Sequence, residues 1–229
     1  MRNYLAVTAL LLIVFFACGP KETTPTPTAK DYYFPYSTFA KGVTYHYEEK
    51  GDSTLKSDWE MKMETTGTDT FLNINILDQN GQLTDYIKEK ITPTESVIES
   101  YRLYFTKDIF SECKMKQRVA YKWSVKKDEA YRWFAQYAMP DNSADIDYSK
   151  TRIFTGDTTE IYYGGNNHQC LVFTDIYSMK GVSRKDGKAD SLEYSMNSYY
   201  AKDLGLISYK LKLPDGATKE FNLKSVTTN

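Results

Sequence analysis

Along most of the chain, apolar and polar residues alternate one by one. Trp59, Met61 and Met63 are interleaved with Asp58, Glu60, Lys62 and Glu64, and Leu72, Ile74 and Ile76 with Asn73 and Asn75. A period of two sends successive side chains to opposite faces of an extended backbone, so each run predicts a strand with one buried face. Asn80-Gly81 follows the second run, and both residues accept the positive φ of a tight hairpin, which makes Leu83–Ile91 the return strand. An earlier strand opens at Val43–Glu49. Val97, Tyr101, Leu103 and Phe105 share a face on which Glu99 is the one polar residue. Val119, Tyr121, Trp123 and Val125 alternate with Arg118, Lys122, Ser124 and Lys126.

Residues 128–139 fit two periods. Tyr131, Trp133, Ala135 and Tyr137 would line one face of a strand, whereas Ala130, Phe134, Tyr137 and Ala138 would line a helix capped by Asp128. Strands on either side favour the strand. Residues 140–150 (PDNSADIDYSK) are polar and turn-rich and predict a loop, an excursion over the mouth or edge of the sheet. Residues 160–163 then run into a Gly164-Gly165-Asn166-Asn167 turn, and residues 169–179 form a longer strand. Lys185-Asp186-Gly187-Lys188 is a further hairpin tip, leading into residues 191–201. Ile207, Tyr209, Leu211 and Leu213 share a face, Pro214-Asp215-Gly216 turns the chain, and residues 218–226 make the last strand. About a dozen strands with short turns and little helix predict an all-β antiparallel barrel or sandwich.

Composition supports that class. Aromatic residues make up 15% of the 229, with 20 Tyr among them, and flat amphipathic rings suit a pleated, half-buried surface. Such faces also stack on sugars or peptides. Acidic and basic residues nearly balance at a formal charge of −1, and no run of Lys or Arg occurs, so there is no electrostatic footprint for nucleic acid.

The first eighteen residues follow another pattern. Arg2 supplies a positive start, residues 5–16 are almost uninterrupted apolar, and Ala17 offers a small-residue cleavage point. This is the pattern of a secretory signal peptide, shorter than the ~20 residues of a stable membrane span. Ala17-Cys18 resembles the lipobox of bacterial lipoproteins, although Phe15 and Phe16 stand where Leu and a small or aliphatic residue are usual. The resemblance implies removal of residues 1–17 and acylation of Cys18, a membrane anchor for all that follows. An ordinary signal peptide would leave Cys18 a plain thiol, but it wants a small residue where Phe15 stands. A retained span is disfavoured by its length. Gly19, rather than Asp, after the Cys implies an outer-membrane address by resemblance to lipoprotein sorting in enteric bacteria. Lys21-Glu22 is similar to the start of the charged export tags of Bacteroidetes-type surface lipoproteins. Residues 18–30 are thus expected to form an acylated Cys and a Pro/Thr-rich tether, with one β-rich domain over residues 31–229 that opens on Tyr32-Tyr33-Phe34-Pro35-Tyr36.

Residues of catalytic or metal-binding type are sparse. The two histidines, His46 and His168, lie far apart with no partner at ligand spacing; His46 reads as an outward strand residue and His168 as part of a turn. Cys170 is two residues from His168, a spacing that shares a strand face without requiring contact. Asp69 and Asp175 could join Glu99 or Glu160 in a carboxylate pair, but 30 acidic residues make chance pairs plentiful. No Gly-x-Ser-x-Gly elbow is present, and Gly164-Gly165 precedes no helix that could cradle a phosphate. The chain is therefore read as non-enzymatic and without cofactor. With Cys18 acylated, Cys113 and Cys170 remain; in an exported protein they either pair or serve as small buried hydrophobes.

Three stretches resemble uncharacterised β-rich lipoproteins of the TapB-like group. They are Tyr199-Tyr200-Ala201-Lys202-Asp203-Leu204-Gly205-Leu206-Ile207-Ser208-Tyr209-Lys210, the segment Asn167-His168-Gln169-Cys170-Leu171-Val172-Phe173, and the opening Phe39-Ala40-Lys41-Gly42-Val43-Thr44-Tyr45-His46-Tyr47. Asp203 stands where the group has Gly, and His168-Gln169 where it has Phe. The resemblance implies an antiparallel barrel-like sheet or a LolA-like open half-barrel whose concave face takes a hydrophobic ligand. It implies no activity. The expected function is thus a membrane-anchored, non-catalytic β-domain binding a hydrophobic ligand or another envelope component. The alternatives are an assembly accessory docked on an outer-membrane complex and an unrecognised envelope hydrolase.

Overall fold

A computed structural model describes residues 28–228. The signal peptide, Cys18 and most of the tether lie outside the described residues. The chain enters through a short helix, α1 (Lys30–Tyr33), and a 3-10 turn at Tyr36–Thr38. Thirteen strands follow: β1 (Val43–Glu49), β2 (Lys56–Thr66), β3 (Asp69–Leu77), β4 (Leu83–Ile91), β5 (Glu95–Tyr104), β6 (Phe110–Glu112) and β7 (Lys114–Lys122), then β8 (Ala130–Ala138), β9 (Ala144–Tyr163), β10 (Asn166–Ser183), β11 (Ala189–Ala201), β12 (Gly205–Lys212) and β13 (Thr218–Thr228).

All pairings are antiparallel and mostly between neighbours in the chain. β13 returns to β1, with Val43 opposite Thr228, and β4 pairs with β5, with Ile87 opposite Tyr101. Twelve strands therefore close into a barrel, and β6 adds a short extension beside β5. Of the architectures expected, the closed barrel is the one formed, and closure leaves no long edge open to other chains.

Alternation puts the apolar set inside. Met61, Leu72, Ile74, Tyr131, Trp133, Ala135 and Tyr137 are buried. Asp58, Glu60 and Lys62 lie on the opposite face of β2, and the outer wall carries ion pairs such as Lys90–Asp69 at 2.7 Å and Arg118–Glu99 at 2.8 Å. Residues 128–139 contain a strand, not a helix, because the Tyr131–Tyr137 alternation meets the barrel's need for one buried face in two. At the β3–β4 tip, Asp78 Oδ1 accepts from the backbone N–H groups of Asn80 and Gln82, both at 2.9 Å, and Gly81 takes φ +73°.

Three local expectations are corrected. The loop expected at 140–150 shrinks to a turn, since β9 already begins at Ala144 and pairs with β8 and β10. Ile146 and Tyr148 face inward there, and the inward Lys150 and Arg152 that follow disguise the alternation. His168 lies on β10 opposite Ile161 rather than in a turn. Glu99 is not an inward intruder on β5. Lys88 pairs with Ser100 and Glu89 with Ile98, so Glu99 is the extra residue of a β-bulge, turned outward to Arg118.

One end of the barrel is sealed by the chain's own N-terminal segment. Tyr33, Phe34 and Phe39 are fully or almost fully buried. The Tyr33 ring lies 4.3 Å from that of Tyr121 and 5.2 Å from that of Tyr200. Its hydroxyl meets that of Tyr131 at 2.7 Å. Backbone bonds from Ala29 N–H to Trp123 O and from Met63 N–H to Phe39 O stitch this plug to the wall.

Candidate functional site

Above the plug the barrel is crossed by a polar layer. Arg152 on β9 and Asp175 on β10 stand directly opposite each other and both point inward. Asp175 Oδ1 accepts from Arg152 Nε at 2.6 Å and Oδ2 from Nη2 at 2.7 Å, the two-pronged geometry that suits a guanidinium and a carboxylate. Ser198 Oγ on β11 donates to Oδ2 at 2.8 Å, and Lys150 Nζ lies 3.3 Å from the same oxygen. Arg152 Nη2 also donates to Tyr200 Oη at 3.0 Å, and its guanidinium carbon sits 4.6 Å from the centre of the Tyr121 ring. Both members of the pair are shut off from solvent, Arg152 at 1% exposure and Asp175 at 0%. Burial by itself would raise the Asp175 carboxyl; Arg152 and Lys150 beside it, with the Arg152 and Ser198 hydrogen bonds, hold it at about 2.

Beyond this layer the lumen is not filled. A cavity of about 330 Å³ lies between Trp59, Ile74, Ile76, Ile87, Tyr148 and Met196. Ser57, Trp59, Tyr194 and Leu211 mark its half-buried rim, at the end of the barrel opposite the plug. Besides tyrosines, it is lined by two carboxyl groups and one amine: Asp85, Glu89 and Lys150. Glu89 lies deep, at 3% exposure, and its Oε2 accepts from Ser96 Oγ at 2.6 Å. Burial pushes its carboxyl up to about 7, against that hydrogen bond and the pull of Lys150 and Arg152. Lys150 is drawn down to about 8, by burial first and then by Arg152, with Asp175 opposing. Asp85, nearer the rim, accepts from Tyr101 Oη and Thr84 Oγ1, each at 2.7 Å, and is raised by burial. Apolar walls around a few convergent polar groups make a small-molecule site, and the volume sits at the small end of such sites.

The residues singled out from the sequence are scattered by comparison. Asp69 is paired with Lys90, Glu99 with Arg118, and Glu160 is exposed, so none shares a site with Asp175. His46 bonds Asp58 at 2.9 Å and Thr227 at 3.0 Å on the outer wall. His168 Nε2 contacts Tyr163 O at 3.1 Å, and Cys170 Sγ turns to the His168 carbonyl, not its ring. Cys113 and Cys170 are both free and buried, and burial pushes each thiol up to about 12. The disulfide weighed for them is not formed: Cys113 lies by Tyr101 at the mouth end, and Cys170 starts the buried part of β10 at the plug end. Among the described residues no group of His, Cys, Asp and Glu could hold a metal ion.

Sequence reasoning missed Asp85, Glu89, Lys150 and Arg152. Their signal was present as polar residues in the inward phase of a strand, in Leu83-Asp85-Ile87-Glu89-Ile91 and in Ile146-Tyr148-Lys150-Arg152.

No family model matches the chain, and no match is found among curated proteins. Solved structures similar to it include two that cover most of the chain. One is an inferred lipoprotein from Parabacteroides distasonis, 12% identical, covering 86% of this chain and 98% of its own at a TM-score of 0.53. The other is an inferred exported protein with a YmcC-like fold from Bacteroides fragilis, 10% identical, covering 86% of this chain and 99% of its own at a TM-score of 0.52. At these identities the likeness is one of fold.

Proposed function

We propose that the chain is an envelope lipoprotein of the outer membrane, acylated at Cys18, whose barrel binds an apolar small molecule in its lumen without transforming it. The observation that carries this reading is the cavity itself. A barrel built only as a scaffold packs its lumen with side chains, whereas here about 330 Å³ stays open above a floor of buried charges. The lipobox-like Ala17-Cys18, the Pro/Thr tether and the fold shared with an inferred lipoprotein and an inferred exported protein support the address. The similarity to TapB-like lipoproteins belongs to the same reading. Extraction of the full chain purified from native membranes, followed by mass spectrometry, tests it: a stoichiometric small hydrophobic molecule is expected. Its absence, together with no binding of any apolar probe, overturns the ligand reading.

A second reading, docking on another envelope protein, is favoured by one feature. Phe105, Ile109 and Phe110 stand 39%, 47% and 44% exposed on the β5–β6 connection and the first residue of β6, at the mouth end of the barrel. Crosslinking from this tip in intact cells is expected to recover a reproducible partner if it docks.

A further inference from the structure

The charges inside the barrel fall into two groups. On the floor, Lys150 and Arg152 face Asp175 and Glu89, two cations against two carboxylates. Arg152 meets Asp175 with both prongs, Lys150 Nζ lies 3.3 Å from the same carboxylate, and both cations pull on Glu89. Asp85 stands apart. It lies four residues further along β4 towards the rim, about 13 Å at roughly 3.3 Å per residue. Its partners are two hydroxyls, Tyr101 Oη on one carboxylate oxygen and Thr84 Oγ1 on the other, and among the described residues it joins no ion pair.

The wall beside Asp85 is aromatic. Tyr101, which donates to it, packs on Trp133 with ring centres 5.5 Å apart, Trp133 packs on Tyr148 at 5.0 Å, and all three line the cavity. Tyr148 continues into a stack with Tyr177 and Tyr194, the last two 4.7 Å apart and parallel to within 5°. Ring faces attract cations, and the lumen already uses one so: Lys150 Nζ sits 5.2 Å from the centre of the Tyr177 ring. A carboxylate in such surroundings is costly without a matching charge. At Asp175 two cations offset that cost. At Asp85 burial raises the carboxyl, and only the two hydroxyls oppose it.

We infer that the lumen takes a molecule with an apolar body and one ammonium group, the ammonium seated at Asp85 beside the Tyr101 and Tyr148 rings. That rests on the lumen-binding reading above and adds the ligand's charge. One positive charge matches the one lumenal carboxylate that has no counter-ion. The apolar body lies deeper, against Ile74, Ile87 and Met196. An anionic head would meet Asp85 and Glu89 instead, with Lys150 already held by Asp175. Lys150 does not repel the ammonium strongly, because it sits on the floor at the level of Glu89 and is neutralised there.

The test is calorimetric titration of the full chain at pH 7, against a detergent blank, with three probes of one chain length: octylammonium, octanol and octanoate. Octylammonium is expected to bind at least about tenfold more tightly than octanol, the gain of an organic cation in a desolvated aromatic site, and octanoate more weakly than either. D85N should bind octylammonium no more tightly than octanol; a melting curve without ligand checks that it folds. The wild-type series depends on no variant. An ammonium preference that survives in folded D85N puts the cation elsewhere and overturns the seat. Equal binding of octylammonium and octanol, or a preference for octanoate, overturns the ammonium ligand and leaves lumen binding standing. No binding of any probe overturns both.

Discussion

Asp175 shows how much a single buried group can hold together. It accepts from Arg152 twice and from Ser198, and Lys150 leans on it. D175N would leave two cations facing a neutral amide, and removing one partner of a buried pair costs about 3–5 kcal/mol. Urea denaturation at pH 7 should show that loss, with a smaller one when Arg152 and Asp175 are both replaced by apolar residues. The wild-type pair also sets an acid limit. Asp175 is held at about 2, below its ordinary 3.8, so its contribution is full above 3.8 and disappears as pH falls through 2. Glu89 works in the opposite sense. Its folded value of about 7 lies above its ordinary 4.5, so the folded protein binds the extra proton, and stability falls as pH rises from 4.5 to 7. E89Q is expected to be the more stable protein at pH 8, by about 3 kcal/mol at most, and to lose the advantage at pH 4.5. Equal denaturation midpoints for E89Q and wild type at pH 8 would contradict this.

At the scale of elements, the plug fits its seat closely. Gly205 opens β12 with φ +83°, and a Cβ there would lie 2.6 Å from both the Tyr33 carbonyl oxygen and Phe34 Cδ1. G205A therefore meets a backbone atom as well as a strained φ. It should destabilise by more than the ~1 kcal/mol of a conformational effect alone, seen as a lower melting temperature and faster proteolysis near Tyr33. Nothing local in the sequence marks this glycine as the seat of the plug, because that contact crosses about 170 residues of chain. The strands themselves were legible where the inward phase was apolar and no second period competed, as in Trp59-Met61-Met63 or Leu72-Ile74-Ile76. They became illegible where the barrel turns charge inward. Lys150 and Arg152 made a strand resemble a loop, and the bulge at Glu99 moved an outward residue into apparent inward register. The candidate site is built from those same irregularities. A pattern read for burial alone passes over a lumen that buries charge.

The whole molecule presents one polarity inside and the other outside, opposite to a barrel that lives in lipid. A transmembrane barrel turns its apolar band outward, and a Lys or Arg on that band costs about 2–4 kcal/mol at mid-bilayer. Here the outer wall carries Glu60, Lys62 and Glu64 on β2, Asp69 on β3 and Lys88 and Lys90 on β4, with their ion pairs, while the aromatic residues crowd the lumen. Such a wall has no affinity for the bilayer core, so the proposed lipid on Cys18 has to supply the attachment. The plug lies at the tether end and the mouth at the other. Ten residues from Cys18 to Thr28 reach at most about 35 Å, which lets the lumen open away from the anchoring surface. C18S, with its signal peptide still cleavable, is expected to leave the membrane fraction for the soluble envelope fraction with an unchanged melting temperature and unchanged lumen binding. Retention of C18S in membranes that survive a high-salt wash would mean a second attachment, and the exposed tip of Phe105, Ile109 and Phe110 is one place where the wall departs from its polar rule and the one where three such side chains cluster in sequence. The variant I109E/F110E separates the two cases. It should release C18S if the tip holds the membrane or a membrane-bound partner, and change nothing if Cys18 is the whole of the anchor.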